Sequence, residues 1–228
     1  MKSLIDKIYH TKIFARIFHT VIFCLQQELR DCESVLDLGC GPSSPLQYCK
    51  NIKYSVGVET FKPYLEKSKG KKIHTEYIEK RVEEVDFPEK SFDAVVMIEV
   101  LEHLPEKIGY AMLEKAEKWA KKKVIVSTPN GFLPQKALDN NPFQKHLSGW
   151  SIKTMKELGF HCRGLAGFKF LRQEAPVSGA GDDFMASIRL RPRFFWFIAA
   201  TLSQLLTYRF SRYAFELFCV KNLKKVRP

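Results

Sequence analysis

The stretch Val35-Leu36-Asp37-Leu38-Gly39-Cys40-Gly41-Pro42-Ser43 decides the fold of this 228-residue chain. Its apolar residues up to Leu38 read as a short buried strand. Gly39 and Gly41 then let the backbone turn sharply and approach a ligand where side chains would block it. Asp37, two places before the Gly-x-Gly turn, faces the ligand end of that strand. A dinucleotide-binding fingerprint carries a third glycine that packs the following helix on the strand. Ser44 holds that place here, with Pro42 and Pro45 close by. The departure argues against NAD, and an acidic residue before the turn suits a sulfonium nucleoside better.

Working outward, Tyr54-Ser55-Val56-Gly57-Val58-Glu59 is a second apolar run that ends in a carboxylate, twenty positions after Gly39. A second parallel strand places an acceptor for ribose hydroxyls at such a position. Residues 91–104 (Ser-Phe-Asp-Ala-Val-Val-Met-Ile-Glu-Val-Leu-Glu-His-Leu) supply another buried strand, and residues 123–130 (Lys-Val-Ile-Val-Ser-Thr-Pro-Asn) yet another. On these residues, from about 34 to 170, the chain resembles the class I S-adenosylmethionine-dependent methyltransferases of the type 11/23 kind. The resemblance implies a doubly wound, Rossmann-like α/β fold with a mostly parallel seven-stranded sheet. It also implies S-adenosylmethionine as cofactor, contacted by Asp37, Gly39, Cys40, Gly41, Glu59, Thr60, Val82 and Met97. One position departs from the pattern. Relatives carry an acidic residue after the third strand to receive the adenine amino group, and its equivalent falls near Arg81 in Glu79-Lys80-Arg81-Val82-Glu83-Glu84. The backbone around Val82, or Glu83, takes over that role, and Arg81 is otherwise a solvated charge.

Leu4, Ile8, Phe14, Phe18, Ile22, Leu25 and Leu29 recur at helical spacing, which predicts one amphipathic helix over residues 1–30 before a catalytic domain over 31–228. Helical stretches at 45–51, 62–69, 105–120 and 151–158 alternate with the strands, as a doubly wound sheet requires. Residues 160–171 and 213–220 are expected as the last two strands, the final one antiparallel if the family topology holds.

Roughly forty residues, about 172–212, separate those two strands, longer than an ordinary connection. They carry Arg189, Arg191 and Arg193, then the apolar run 194–206, then Arg209 and Arg212. The run falls short of the ~20 residues that a membrane span needs, whereas aromatic residues bordered by arginines suit a helix lying at a membrane interface. The alternative is a helix whose aromatics cap the sheet or make a dimer.

Glu99, Glu102 and His103 follow the fourth strand. If a helix begins there, positions i, i+3 and i+4 share one face. The loop carrying Asn130, Asn140, Asn141 and His146 is expected beside them at the carboxyl edge of the sheet. Glu99, Glu102, His103 and His146 are similar to the Glu-x-x-Glu-His plus distant His pattern of metal-dependent RNA 2′-O-methyltransferases. Ser127-Thr128-Pro129-Asn130 and His146 with Trp150 extend that likeness, and ubiquinone-pathway O-methyltransferases share the Glu99, Glu102, His103 part. Two carboxylates and two imidazoles suit Mg, Mn, Fe or Zn, and a divalent ion would lower the pKa of a hydroxyl acceptor. Without a metal, His103 or His146 serves as general base. The competing reading makes His103 a structural residue that only bonds nearby loops.

Composition narrows the rest. A hydrophobic content of 45% excludes a disordered chain, and the length suits one α/β domain with appendages. The six cysteines form no Cys-x-x-Cys pair and no dense framework, so neither structural zinc nor disulfides are expected, and a reducing cytoplasm is. Charged residues interrupt any signal-peptide core near the N-terminus. The net charge of +12 admits an anionic membrane, RNA or a phosphorylated lipid-linked sugar as partner. No basic stripe interleaved with stacking aromatics marks an RNA groove. The function expected is O-methylation of a hydroxyl on a small-molecule, glycan or lipid-linked acceptor, on a protein peripheral to the membrane. Residues 132–150 would line the acceptor pocket. RNA ribose methylation is the alternative, and an inactive methyltransferase-like scaffold is the third reading. The missing Pro-Pro-aromatic element after Thr128 disfavours nitrogen in nucleobases as the acceptor.

Overall fold

The computed structural model describes residues 11–137, 139–173 and 185–223. Seven strands form one sheet in the order β3-β2-β1-β4-β5-β7-β6. They are β1 (Ser34–Leu38), β2 (Tyr54–Glu59), β3 (Glu76–Glu79), β4 (Phe92–Ile98), β5 (Ala120–Pro129), β6 (His161–Phe168) and β7 (Ala214–Asn222). β1 to β5 pair in parallel, and β7 runs antiparallel between β5 and β6. The helices are α1 (Lys12–Phe18), α2 (Val21–Glu28), α3 (Lys62–Gly70), α4 (Glu106–Trp119), α5 (Ile152–Glu157) and α6 (Arg193–Thr207).

The pleat sorts each strand between two cores, because successive side chains point to opposite faces. Leu36, Leu38, Val95 and Met97 face one layer and pack with Met112, Leu113, Ala116 and Trp119 of α4. Val35, Ala94, Val96 and Ile125 face the other and pack with Cys24, Leu25 and Leu29 from α2 and the turn after it. Each fully buried leucine or valine of these layers contributes roughly 1.5–3 kcal/mol.

The single N-terminal helix expected from the sequence is broken. His19 adopts a left-handed backbone (φ 48°), and the Thr20 hydroxyl accepts from the Phe23 amide to begin α2. A threonine cap outweighs continued apolar periodicity because it satisfies a helix-end amide. Leu4 and Ile8 lie outside the described residues. The helix expected over 45–51 is one 3-10 turn, Pro45–Tyr48, while the other three expected helices occupy their places.

Cys162 and Cys219 are disulfide-bonded, which corrects the expectation of no disulfide. They are 57 residues apart in sequence, and the antiparallel register sets them directly opposite on β6 and β7. Spacing along the chain carries no trace of that pairing.

Candidate active site

A cleft of about 610 Å³ opens over the carboxyl ends of β1, β2 and β4, within the range of small-molecule sites. Its cofactor half grows from the glycine loop. Gly39 (φ +69°) and Gly41 (φ +58°) are both left-handed. A Cβ on Gly39 would come within 2.6 Å of Val100 Cγ2, whereas one on Gly41 would meet nothing within 4 Å. Gly39 therefore packs the loop against the β4 end, and Gly41 leaves space in the cleft that a side chain would fill. Glu59 ties this loop to β2, accepting from the Gly41 amide at 3.1 Å and from the Phe61 amide at 2.7 Å.

Asp37 is buried, and the Ser44 hydroxyl donates to its Oδ2 at 2.5 Å. Burial pushes its carboxyl up to about 7, against the opposing pull of Ser44. Burial raises Glu59 as well, while the amides of Phe61, Gly41 and Thr60 lower it. Two carboxyls that resist ionising in a low-dielectric cleft gain from a nearby cation. His74, which the sequence reading missed, lies with Nε2 3.4 Å from Asp37 Oδ2. Burial holds His74 down to about 4, so it is a neutral neighbour of Asp37 rather than an ion-pair partner. His74 packs on Gly57, where a Cβ would stand 2.5 Å from His74 Cδ2.

Cys40, Thr60 and Val82 also line the cleft. Met97 does not. The pleat turns it into the α4 core, fully buried, and Ile98 reaches the cleft instead. Arg81 and Glu83 line it too, with Arg81 bonded to Glu83 Oε1 at 2.6 Å and its guanidinium 5.8 Å from the Phe143 ring centre. Arg81 thereby joins the end of β3 to the loop after β5.

The other half of the cleft is assembled from distant segments. Glu99, Glu102 and His103 do not share a helix face, because Glu99 is left-handed (φ 54°), a 3-10 turn spans Leu101–His103, and α4 starts only at Glu106. A non-glycine residue in that region is uncommon and strained. The carbonyl of Glu102 accepts from the Leu147 and Ser148 amides at 2.7 and 3.1 Å, and the Leu101 carbonyl accepts from Ser148 Oγ at 3.0 Å. These bonds clip the loop at 132–150 onto the turn and bring His146 to His103, with ring centres 4.8 Å apart. Glu102, His103 and His146 offer ligand atoms that all lie within 4.8 Å of one another.

The two imidazoles are oriented alike. His103 Nδ1 lies 3.2 Å from the Lys145 carbonyl and His146 Nδ1 lies 2.6 Å from the Leu133 carbonyl. A carbonyl only accepts, so Nδ1 carries the proton in each ring and Nε2 carries the lone pair. Burial pushes His103 down to about 4. Both Glu102 carboxyl oxygens are buried without a well-formed hydrogen bond among the described residues, with Thr128 and the Glu99 carboxyl as their polar neighbours, and burial lifts the group to about 7.

Glu99 falls outside this group. Ser127 Oγ lies 2.7 Å from Glu99 Oε1 and 2.6 Å from Glu216 Oε1. One hydroxyl proton serves one acceptor, so the second carboxyl is protonated and donates to Oγ. Burial raises Glu99 well above its ordinary value and Glu216 to about 8. Asn141 reaches the cleft, whereas Asn140 is exposed outside it and Asn130 donates to the carbonyls of Ser211, Arg212 and Ala214.

Comparison with known proteins agrees with this fold. A methyltransferase-domain family profile matches residues 36–128, from β1 into β5. A search of curated proteins finds no match. Among solved structures, a SAM-dependent methyltransferase from Archaeoglobus fulgidus is similar at 17% identity and a TM-score of 0.53, over 92% of this chain and 98% of that one. The methyltransferase domain of bacterial CtHen1 is similar at 18% identity and 0.51, over 89% and 96%. The plantazolicin methyltransferase BpumL, solved with SAH, is similar at 12% identity and 0.52, over 96% and 88%. Residues 36–128 thus match a methyltransferase domain, and the chain shares the fold of solved SAM-dependent methyltransferases.

Proposed function

We propose that the protein methylates a hydroxyl group on a small-molecule, glycan or lipid-linked acceptor presented at a membrane surface. The observation that carries this reading is the pair of imidazoles, His103 and His146, held beside the cofactor half of the same cleft with Nδ1 of each anchored on a carbonyl.

S-adenosylmethionine, when bound, supplies a methyl group on a positively charged sulfur. Asp37 and Glu59 provide negative charge at the glycine loop, Gly41 leaves room for the nucleoside, and Val82 lines the adenine end. Methylating a hydroxyl turns an alcohol into an ether and releases one proton. Nε2 of His103 or His146 is the acceptor for that proton, and a neutral imidazole is the form able to take it. Leu133, Gln135 and Phe143 wall the acceptor end.

The cluster also fits a divalent ion. Glu102, a buried carboxyl without a well-formed hydrogen bond, and two imidazoles whose far nitrogens are fixed by carbonyls make the donor set and the supporting shell that such ions use. Glu102, His103 and His146 would hold the ion, and it would lower the pKa of the acceptor hydroxyl. Glu99 is committed to Ser127.

Ribose 2′-O-methylation of RNA is the second reading, favoured by this His and Glu cluster. Charge disfavours it. The described cleft lining carries Arg81 as its one lysine or arginine, a poor match to a phosphate backbone. The test is transfer of radiolabelled methyl to a membrane-lipid extract, to soluble polyols and to short RNA, with and without Mn. Label in the lipid or polyol fraction that is lost in His146→Ala supports the proposal, and label in RNA alone would overturn it.

A further inference from the structure

The helix α6 is amphipathic in the wrong sense for a helix that meets only water. Its buried positions are Ala200, Ser203, Gln204 and Thr207. Gln204 accepts from the Gly167 amide at 2.8 Å and donates to the Gly164 carbonyl at 3.1 Å, and Ser203 accepts from the Phe168 amide at 3.0 Å. Side chains on Gly164 or Gly167 would strike the α6 backbone, so these glycines let the helix lie close on β6. The polar residues of α6 are thus spent on the sheet, and rotating the helix would break all three bonds.

The outward face is what remains: Phe194, Phe195, Ile198, Leu202, Leu205 and Leu206, each between 42% and 61% exposed. Helix α1 packs against α6 and adds exposed Ile13 and Ile17, and Phe210 extends the face at its far end. Contiguous apolar surface of this kind marks an interaction site. Its rim has one sign of charge. Arg16, Arg189, Arg191, Arg209 and Arg212 are exposed around it, and residues 185–215 and 11–27 contain no aspartate or glutamate.

We infer that the outer face of α6, with α1 beside it, docks on an anionic lipid bilayer. The fifteen residues of α6 span roughly 22 Å, short of the ~30 Å hydrocarbon thickness. Among the described residues no helix is long and apolar enough to cross a membrane. The helix therefore lies in the interface plane, with its aromatic and leucine side chains at the acyl boundary and the arginines at the headgroups. A cationic rim selects a bilayer over a second copy of this chain, whose equally cationic rim would be repelled.

The surface is tied to the cleft at its neck. The Gln173 amide donates to the Ser187 carbonyl at 2.8 Å and Arg172 bridges Ile188, closing the base of the insertion, and both Gln173 and Ser187 line the cleft. Docking on this face sets the cleft mouth beside the bilayer. This inference deepens the membrane part of the proposed function and depends on neither the acceptor atom nor turnover.

The test is co-sedimentation of the full chain with vesicles of phosphatidylcholine alone or with a third phosphatidylglycerol, without cofactor or acceptor. S-adenosylmethionine binding by calorimetry checks the fold of each variant. Wild type is expected to pellet with the anionic vesicles and release in high salt. Replacing Arg191 or Arg209 by Gln should weaken partition about fivefold for each arginine. Leu202→Glu, and separately Phe195→Glu, should abolish it with cofactor binding intact. A wild type that stays in the supernatant, or forms a dimer that Leu202→Glu dissolves, would overturn the inference. So would vesicle binding that survives all four changes.

Discussion

The two halves of the cleft are built on opposite plans. The cofactor half is local: Asp37, Gly39, Gly41 and Ser44 come from one turn, and Glu59 reaches them from the adjacent strand. The acceptor half is a composite in which a turn after β4, a loop after β5 and the neck of the insertion meet through backbone bonds to Glu102, Leu101 and Ser187. A local site binds without help from the rest of the molecule. A composite site is free to vary in what it accepts, because each segment can change without disturbing the cofactor turn.

That division makes separable predictions. The largest effect is expected at the histidines. His146→Ala or His103→Ala should lower kcat by about 10²–10⁴ while the dissociation constant for S-adenosylmethionine changes little, as single-turnover kinetics and calorimetry would show. Next is Gly39→Val, which combines left-handed strain with a clash on Val100. It should cost roughly 2–4 kcal/mol of cofactor binding or stability, read by calorimetry and thermal melts, and the acceptor half offers nothing to compensate.

A smaller effect is expected beneath the cofactor turn. Gly57→Ala should destabilise by about 1–3 kcal/mol through its clash with His74. Denaturant titration of Gly57→Ala, His74→Ala and the double variant should give non-additive losses, since removing the imidazole makes room for the methyl group. Additive losses would separate His74 from the cofactor turn.

The last is a pH dependence. Asp37 is raised by burial to about 7 in the folded protein, above its unfolded value, so its contribution to stability is present in full below about pH 4 and is lost as pH rises through 7. A bound cation favours the ionised carboxylate, so cofactor affinity should strengthen as pH rises from 6 to 8. Asp37→Asn should flatten that slope, measured by calorimetry across the range.

The same division governs what the sequence disclosed. Asp37, the two glycines and Glu59 were legible because a strand, a turn and the next parallel strand carry their signature in contiguous residues. Glu102, His103 and His146 were legible as residue types but not as geometry. Glu99 is left-handed and lies seven residues before the helix that starts at Glu106, so no helix face aligns it with them, and the Ser127 hydroxyl draws Glu99 toward Glu216. Met97 was placed one step out of phase with the pleat, an error that moves a side chain from cleft to core. His74 and the Cys162–Cys219 pair had no sequence signal of their own, since each depends on which strands become neighbours. The insertion was legible as an aromatic and arginine-rich segment. Which face of α6 points outward followed only from Gln204 and Ser203 bonding to β6.

On this reading the two halves act independently, one holding S-adenosylmethionine and the other serving the acceptor. Calorimetric titration of S-adenosylmethionine into wild type, Glu59→Ala and the double variant His103→Ala/His146→Ala tests it most directly. Wild type should bind, Glu59→Ala should lose binding, and the histidine pair should bind nearly as wild type does. Binding that survives Glu59→Ala, or disappears with the histidines, would contradict it.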